Sequence, residues 1–390
     1  MKLYWPLNQS LEEALQQVTE QPIHRPFDEE VLTFMHRLSQ RFLRLREFPE
    51  IVALGYWLRK ANIERLRRAF DQETEGRIVR ARGTVFHIAP SNVDTIFVYS
   101  WMLSLLAGNR NIIRISSKAE ANTLLTIILE ELVQFETVAR QTIICTYGHE
   151  ENATVVLSQL CHTRVIWGGD ATIQAIRQVP LAPLANELAF PDRFSLAVLQ
   201  AEKVNELDER QLGQLVEQFY NDAFWFDQLA CSSPRLIVWV GQSVSRFWQA
   251  LETKVQQKQY KLQAATQVLK YATSLQLTTE EAVQCVRSTA YFSKISLNDV
   301  SKAVREQHCG GGLFYEQELA SLEDVATIVM DKDQTLSYFG FEVSELTMMA
   351  EMILTRGIDR IVPIGQALNF DSAWDGQNFL TSFTREVVIK

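Results

Sequence analysis

The sequence of 390 residues predicts an α/β protein with two doubly wound parallel-sheet domains and a helical N-terminal segment. From about residue 80 to residue 167, short apolar strands alternate with helices, which is the pattern of a parallel sheet with buried strands. A second series of strands and helices starts at about residue 194. The first 75 residues instead carry apolar side chains at spacings of three and four, as amphipathic helices do.

Composition supports an ordinary globular protein and excludes several classes. The chain is 47% hydrophobic and 22% charged, and its net charge of −9 gives no electrostatic footprint for nucleic acid. No stretch approaches the roughly 18 apolar residues of a membrane span, and the first residues lack the features of a signal peptide. The five cysteines show no C-x-x-C spacing, so we expect no metal site and a reducing, cytoplasmic location.

Four segments carry residues with candidate chemistry. The first runs from Ile88 to Asp94, where a predicted strand ends and a helix begins. Open α/β sheets bind ligands at the carboxyl ends of their strands. Asn92 in this segment could donate an amide N–H to a developing oxyanion. The same Pro-Ser-Asn sequence is also a common strand-to-helix turn with a capping residue.

The second and third segments follow further strands. Gly168 and Gly169 lie between a strand and a helix, where backbone can approach a phosphate or a nicotinamide ring, although Gly-Gly is also a common turn. The sequence has no G-x-G-x-x-G fingerprint, which argues against an ordinary Rossmann dehydrogenase. Glu187 follows an apolar run and is either a base, a substrate-positioning group or a surface charge.

The fourth segment, Asp227 to Arg235, carries Cys231 in a short polar loop between a helix and a strand. Loops on a rigid frame often place reactive groups. The other cysteines are predicted in different settings: Cys145 in a buried strand, Cys285 on a helix, and Cys161 and Cys309 in loops. Cys231 is therefore the candidate nucleophile, and the alternative is a small core residue like most cysteines.

Taken in this order, the four segments resemble those of the aldehyde dehydrogenase superfamily. The stretch from Ala107 to Arg114 resembles the superfamily's A-G-N-x-x-V-x-K strand. Six positions of this chain correspond to motif positions of the superfamily. They are Pro90 (its strand-end Pro), Asn92 (its oxyanion Asn), Arg114 (its cofactor-binding Lys), Gly168-Gly169 (its Gly-Ser), Glu187 (the Glu of its Glu-Leu-Gly-Gly) and Cys231 (its nucleophile). The sequence departs from these motifs at Gly169, Ala189 and Phe190, and it has no Glu-x-Phe-Gly-Pro segment.

Within that superfamily, the sequence looks most like the bioluminescence-type (LuxC-type) long-chain acyl-CoA reductases. The segments that carry this resemblance are Asp227 to Arg235, Cys309 to Tyr315 and Arg356 to Gly376. The resemblance covers the chain from about Arg80 to its C-terminus. It implies a nucleotide-binding domain at 76–190, a catalytic domain at 191–355 and a segment at 356–390 that returns to the active-site cleft, whereas the helical segment at 1–75 is predicted from its apolar spacing alone.

The resemblance implies an NAD(P)H-dependent enzyme that reduces an acyl thioester to an aldehyde through an acyl group on Cys231. Asn92 and the backbone N–H of Cys231 would stabilise the oxyanion, and Glu187 would shuttle a proton or position the substrate. It further implies a substrate bound to CoA or an acyl carrier, an acyl-transferring partner enzyme and a homo-oligomer. The alternatives are an NAD(P)-dependent aldehyde dehydrogenase that releases free acid, and a non-catalytic scaffold of the same fold.

The resemblance also implies a cofactor site that includes Pro90, Gly168 and Gly169, together with the stretch Arg114 to Lys118. This stretch has two cations, with Ser117 between them, and no carboxylate before Glu120. Cations favour a 2′-phosphate over a bare ribose diol, so NADPH is the expected cofactor and NADH is the alternative. Lys118 could instead be a solvated charge at the start of a helix.

Overall fold

The computed structural model describes residues 1–90, 95–116, 123–148, 152–279 and 283–390. It divides the chain into two compact units. The first unit consists of Met1–Asp192 and Phe370–Lys390, and the second of Arg193–Asn369. Each unit is built on a largely parallel sheet, which confirms the predicted α/β class.

The first unit begins with four helices that follow a short edge strand. Ser10 and Asp28 cap the first two of these helices: the Ser10 hydroxyl accepts the N–H of Glu13, whose carboxylate accepts the Ser10 N–H in return, and the Asp28 side chain accepts the N–H of Glu30. The elements up to the end of the first sheet are β1 (Lys2–Trp5), α1 (Leu11–Glu20), α2 (Glu29–Phe42), α3 (Pro49–Trp57), α4 (Lys60–Glu73), β2 (Ile78–Ala81), β3 (Thr84–Ile88), α5 (Thr95–Leu106), β4 (Arg110–Arg114), α6 (Thr123–Leu132), α7 (Glu136–Arg140), β5 (Thr142–Thr146), α8 (Ala153–Leu160), β6 (Thr163–Trp167), α9 (Asp170–Arg177) and β7 (Asn186–Phe190).

The sheet of the first unit has the strand order β1-β5-β4-β3-β6-β7. All its neighbouring strands are parallel except β1, which pairs antiparallel with β5. Isoleucines of β3, β4 and β5 pack on one face against α1, α8 and α9, whereas α5 packs against β3 and β4. Every residue of α5 is buried, which explains why its sequence is apolar all round.

The second unit repeats the alternation of strands and helices. Its elements are β8 (Phe194–Gln200), α10 (Ala201–Glu206), α11 (Glu209–Phe224), β9 (Leu236–Val240), α12 (Ser245–Gln257), α13 (Ala264–Leu277), β10 (Val283–Ser288), β11 (Ser293–Leu297), α14 (Lys302–Glu306), β12 (Leu313–Leu319), α15 (Glu323–Ile328), β13 (Asp333–Phe339), α16 (Val343–Glu351) and β14 (Arg360–Pro363). The chain then returns to the first unit with β15 (Ala373–Trp374), β16 (Gln377–Asn378), α17 (Phe379–Ser382) and β17 (Thr384–Val387), and β17 pairs with β2.

The sheet of the second unit has the order β10-β11-β12-β9-β8-β13-β14, and β10 is its antiparallel edge strand. Alternate residues of β8 and β9 face opposite cores, because successive side chains of a strand point to opposite faces. Ala197 and Ile237 pack with helices α11 and α12, whereas Leu196 and Val238 pack with α13 to α16. Helices therefore cover both faces of this sheet, as a doubly wound fold requires.

The N-terminal segment is mostly helical, as predicted, and it also contains β1, which joins the first sheet. Two local predictions were wrong. The sequence from Val244 to about Val268 predicts one helical stretch, but the structure has two helices, α12 and α13. Between them, Gln259 adopts a left-handed φ of +53°. Cys285 lies on the edge strand β10 rather than on a helix.

Candidate functional site

Three of the predicted cofactor positions lie at one edge of the first sheet. Pro90 follows β3, Arg114 ends β4, and Gly168 follows β6; these three strands are neighbours, and Ile88 pairs with both Arg114 and Ile166. The chain runs from β3 through β4 to β5 on one side, then returns to β6 on the other side. The β3–β6 junction is therefore the topological switch point, where open α/β sheets bind ligands.

Arg114 has a restrained guanidinium at this edge. Its Nη2 donates to the Tyr147 carbonyl over 3.4 Å, and the guanidinium carbon lies 5.6 Å from the centre of the Tyr147 ring. Part of the side chain remains accessible. A guanidinium held in this way has donors left for a phosphate group. Asn92, Ser117 and Lys118 lie outside the described residues.

Gly168 and Gly169 form a closely packed turn before α9. A Cβ atom on Gly168 would lie 3.2 Å from the Thr172 side chain, and one on Gly169 would lie 3.1 Å from Oδ2 of Asp192. These close contacts explain why glycine occupies both positions of the turn. Gly169 caps α9 without a side-chain hydrogen bond, so the first turn of this helix also offers backbone N–H groups of the kind that bind phosphates.

Glu187 lies on β7 and is held by two arginines. Its Oε2 accepts from Nε and Nη2 of Arg164 over 3.0 and 2.5 Å, and its Oε1 accepts from Nε of Arg177 over 2.8 Å. Arg164 is buried and also donates to the Val179 carbonyl over 2.9 Å. Because both carboxylate oxygens have cationic donors, the geometry suits a positioning role better than proton transfer.

Cys231 lies in the second unit, in the loop between α11 and β9. It is partly exposed, and its backbone carbonyl accepts from the Ser195 hydroxyl over 2.7 Å. Before it, Asp227 and Gln228 adopt left-handed φ angles of +51° and +60°. Such angles are uncommon for non-glycine residues and indicate that surrounding contacts determine the path of the loop.

Gln228 supplies two of those contacts, although no motif in the sequence pointed to this residue. Its side chain is fully buried. The amide Nε2 donates to the Pro234 carbonyl over 2.9 Å, and Oε1 accepts from the Gly312 N–H over 3.1 Å. Gln228 thus joins the two ends of the loop that carries Cys231. It also attaches that loop to the glycine run, Gly310 to Gly312.

Gly310, Gly311 and Gly312 pack against this loop with φ angles of +73°, +65° and +76°. The Gly311 N–H donates to the Asp227 carbonyl over 2.8 Å. A Cβ atom on Gly310 would lie 2.8 Å from the Leu229 side chain. The left-handed angles and the close approach both require glycine. Asp227 to Arg235 and Cys309 to Tyr315, two of the segments that carried the resemblance, are therefore in contact.

Asp222, near the end of α11, contacts both the Cys231 loop and the segment Arg356 to Gly376, which is the third segment that carried the resemblance. Its carboxylate accepts from the N–H of Gly365 over 2.6 Å and of Ala367 over 3.0 Å, and its backbone carbonyl accepts from the Ser233 hydroxyl over 2.8 Å. Burial raises the pKa of Asp222 to about 7. No motif in the sequence pointed to this residue.

The remaining cysteines have settings less suited to nucleophilic attack. Burial raises the pKa of the Cys161 thiol to about 12 and raises the pKa of the Cys309 thiol, while Cys145 is fully buried. Burial disfavours the thiolate that attacks a carbonyl. Cys285 is exposed on β10. Cys309 shares the partial exposure of Cys231, but burial raises the pKa of its thiol.

Within the described ranges, no group of three or more His, Cys, Asp or Glu side chains could hold a metal ion. Nor does any helix among those residues have the length and apolar character needed to cross a membrane.

The fold resembles that of solved aldehyde dehydrogenases. Aldehyde dehydrogenase 21 from Physcomitrella patens matches with a TM-score of 0.71 at 12% identity, covering 97% of this chain and 90% of the other. A putative aldehyde dehydrogenase from Burkholderia cenocepacia matches with a TM-score of 0.70 at 14% identity, covering 96% and 90%. At these identities the likeness establishes the aldehyde dehydrogenase-like fold and nothing further about activity.

Sequence comparison gives the family. A long-chain acyl-protein thioester reductase from Aliivibrio fischeri is 22% identical over 292 residues, which are 73% of this chain and 58% of the relative. This chain therefore matches little more than half the length of that relative. The sequence model of the acyl-CoA reductase (LuxC) family matches residues 9–386. Because that match spans nearly the whole chain, the protein belongs to the acyl-CoA reductase (LuxC) family.

Proposed function

We propose that this protein reduces an acyl thioester to an aldehyde with NAD(P)H, through an acyl group carried on Cys231. The observation that carries the proposal is the setting of Cys231, a partly exposed cysteine in a loop fixed by Gln228, Ser195 and the glycine run. A nucleophile held in one geometry favours attack, because the entropy of orientation is lost before the reaction.

In the proposed reaction, the Cys231 thiolate attacks the thioester carbonyl and forms a new C–S bond. The tetrahedral intermediate then expels the thiol of CoA or of an acyl carrier. Asn92 and the backbone N–H of Cys231 stabilise the oxyanion, each contributing roughly 3 kcal/mol. NAD(P)H, when bound, would supply a hydride to the acyl carbon. The thiohemiacetal on Cys231 would then lose its C–S bond, which releases the aldehyde and returns the thiol of Cys231. Glu187, whose two carboxylate oxygens accept from Arg164 and Arg177, is proposed as a positioning group rather than as a proton relay.

The first unit supplies the proposed cofactor site. Pro90, Gly168 and Gly169 lie at the switch point of its sheet, and Arg114 lies beside them with donors left for a phosphate. Ser117 and Lys118 follow Arg114 in the sequence. This set of residues fits a dinucleotide, and its positive charge supports NADPH as the preferred cofactor.

The substrate is proposed to be a fatty acyl group on CoA or on a protein thiol. The name of the Aliivibrio fischeri relative supports a protein-bound acyl group, and the family description supports CoA. An acyl-protein substrate would require an acyl-transferring partner. Because Cys231 lies in a loop rather than in the core, either thiol carrier could present its thioester there.

The test is an NAD(P)H-oxidation assay with a panel of acyl-CoAs, together with trapping of the acyl-enzyme with labelled acyl-CoA. Cys231→Ala should abolish both the label and turnover, because no other residue supplies the C–S bond. Cys285→Ala is the matched control, since it removes an exposed thiol outside the loop and should leave both signals intact.

Two results would contradict the proposal. Label that persists on Cys145 or Cys309 in the Cys231→Ala variant would assign the acyl group to another thiol. Oxidation of an aldehyde to free acid, without any thioester reduction, would favour a hydrolytic aldehyde dehydrogenase instead.

A further inference from the structure

The side-chain amide of Gln228 lies where two neighbouring strands of the second sheet begin. Its Nε2 donates to the carbonyl of Pro234, which lies two residues before β9. Its Oε1 accepts the N–H of Gly312, the residue before β12. β9 and β12 are parallel neighbours in the sheet. The buried amide therefore connects the Cys231 loop to the edge where these two strands start, which is a rigid part of the fold.

Cys231 lies at the midpoint of the segment that this amide closes, three residues after Gln228 and three residues before Pro234. Within the segment, the Ser233 N–H donates to the Ala230 carbonyl over 3.1 Å, which forms a turn around Cys231. A bond between the two ends of so short a segment restricts the conformations open to it. The Gln228 side chain therefore fixes where the turn that carries the thiol lies relative to the sheet.

Glutamine suits this position because its two partners need opposite hydrogen-bonding groups. Pro234 presents a carbonyl, which needs a donor, and Gly312 presents an N–H, which needs an acceptor. Glutamine carries both groups at its end, whereas an ionised glutamate carries only acceptors and methionine carries no strong donor or acceptor. The reversed amide would set donor against donor and acceptor against acceptor, so only the observed orientation satisfies both partners.

We propose that Gln228 is a positioning residue for the nucleophile: its side chain holds the Cys231 loop against the starts of β9 and β12, and so keeps the thiol in the geometry that acyl transfer needs. This inference rests on the proposed function, because it takes Cys231 to be the reacting thiol. Gln228 acts through the backbone of Pro234 and Gly312. A loop released from the sheet would open more often, so its thiol would meet small reagents faster, but it would meet an acyl thioester in the wrong orientation.

Gln228→Glu keeps the size of the side chain and the acceptor for Gly312, but it loses the donor to Pro234. Gln317→Glu is the matched control. Gln317 is also a buried glutamine of the second unit, 5% exposed, and its Nε2 donates to the Asn298 carbonyl over 3.0 Å, outside the Cys231 loop. The control therefore reports the general cost of replacing a buried amide donor with a carboxylate in this unit.

The experiment measures the rate at which iodoacetamide alkylates Cys231 in the full-length variants, followed by mass spectrometry of the Cys231 peptide, together with kcat for thioester reduction and Tm. Gln228→Glu should raise the alkylation rate by about 3- to 10-fold, the range expected for loss of one hydrogen bond. The same variant should lower kcat by about 10- to 100-fold, as a displaced reacting group does. Gln317→Glu should lower Tm and leave the alkylation rate and kcat unchanged.

A folded Gln228→Glu protein whose Cys231 is alkylated at the wild-type rate would overturn the proposal, as would an equal acceleration in Gln317→Glu. Faster alkylation with an unchanged kcat would also overturn it, because the position of the loop would then not matter to the reaction. Should Gln228→Glu fail to fold, Gln228→Met removes both contacts without burying a charge, and the same outcomes apply to it. Alkylation needs no substrate or cofactor, so a wild-type protein without reductase activity would refute the proposed function and leave this readout intact.

Discussion

The two units position their candidate residues by different means. In the first unit, Pro90, Arg114 and Gly168 come together because three neighbouring parallel strands end at the same edge. In the second unit, Cys231 precedes a strand, and its loop is fixed by buried polar side chains such as Gln228 and Ser233. Backbone topology defines the proposed cofactor site, whereas specific hydrogen bonds define the proposed nucleophile.

This difference has a consequence for mutations. A strand-end position tolerates many side chains, because the sheet maintains its place, and only the group that meets the ligand matters. A loop fixed by hydrogen bonds depends on residues that never meet the ligand, because loss of one buried partner leaves another polar group unpaired. We therefore expect effects at a distance in the second unit and effects of direct contact in the first.

Asn92→Ala gives the largest expected effect in the first unit. If Asn92 donates to the oxyanion, its loss should lower kcat by about 100-fold, or roughly 3 kcal/mol, while the fold and cofactor binding remain intact. Steady-state kinetics with circular dichroism as a check of folding would measure this. An unchanged kcat would make Asn92 a plain turn residue and would confine the first unit to cofactor binding.

The same difference shows what the sequence could predict. The strand at Thr163–Trp167 and the helix after Gly169 were recognisable from apolar runs and Gly-Gly, since such patterns depend on local spacing. The nucleophile loop was recognisable from its motif and setting. The contacts of Asp222 were not, because residues 143 and 145 positions away supply the donors, and no local pattern encodes them.

Two features that the sequence did not predict have similar physical causes. β1 was missed because four residues are too short for a periodicity, and its place in the sheet comes from pairing with β5 far along the chain. The break between α12 and α13 has neither Gly nor Pro to mark it. The break is formed by Gln259 in a left-handed conformation, and glutamine at a position gives no sequence signal for that conformation.

The two units also differ in how their buried titratable groups respond to pH. In the first unit, burial lowers the pKa of His87 to about 4; its Nδ1 contacts the Ser100 hydroxyl over 2.8 Å and its Nε2 contacts Oδ1 of Asn111 over 3.0 Å. The stability that this neutral imidazole contributes is full above pH 6.5 and is lost as pH falls towards about 4. Asp222, with its raised pKa, contributes stability at low pH that is lost as pH rises through about 7.

His87→Gln separates these opposing contributions. The shift of His87 from 6.5 to about 4 corresponds to at most roughly 3 kcal/mol of pH-dependent stability. The variant should be less stable at pH 7 but should lose less free energy of unfolding between pH 7 and pH 4.5 than wild type. Urea unfolding at several pH values would show this, and exposed His36→Gln is the control. A decline with the wild-type slope would contradict the assignment.

The smallest expected effect concerns cofactor choice, and it tests whether topology alone defines the first site. Arg114→Ala with Lys118→Ala should lower the preference for NADPH over NADH by about tenfold, because charge-assisted bonds to a phosphate are roughly twice as strong as neutral ones. The measurement is kcat/KM for each cofactor, and Arg140→Ala, which removes an exposed cation on α7, is the control. Loss of efficiency with both cofactors alike would mean that Arg114 serves the shared part of the dinucleotide. A wild-type enzyme without any preference would contradict the proposed recognition of the 2′-phosphate. The switch point of the sheet would still define where the dinucleotide binds.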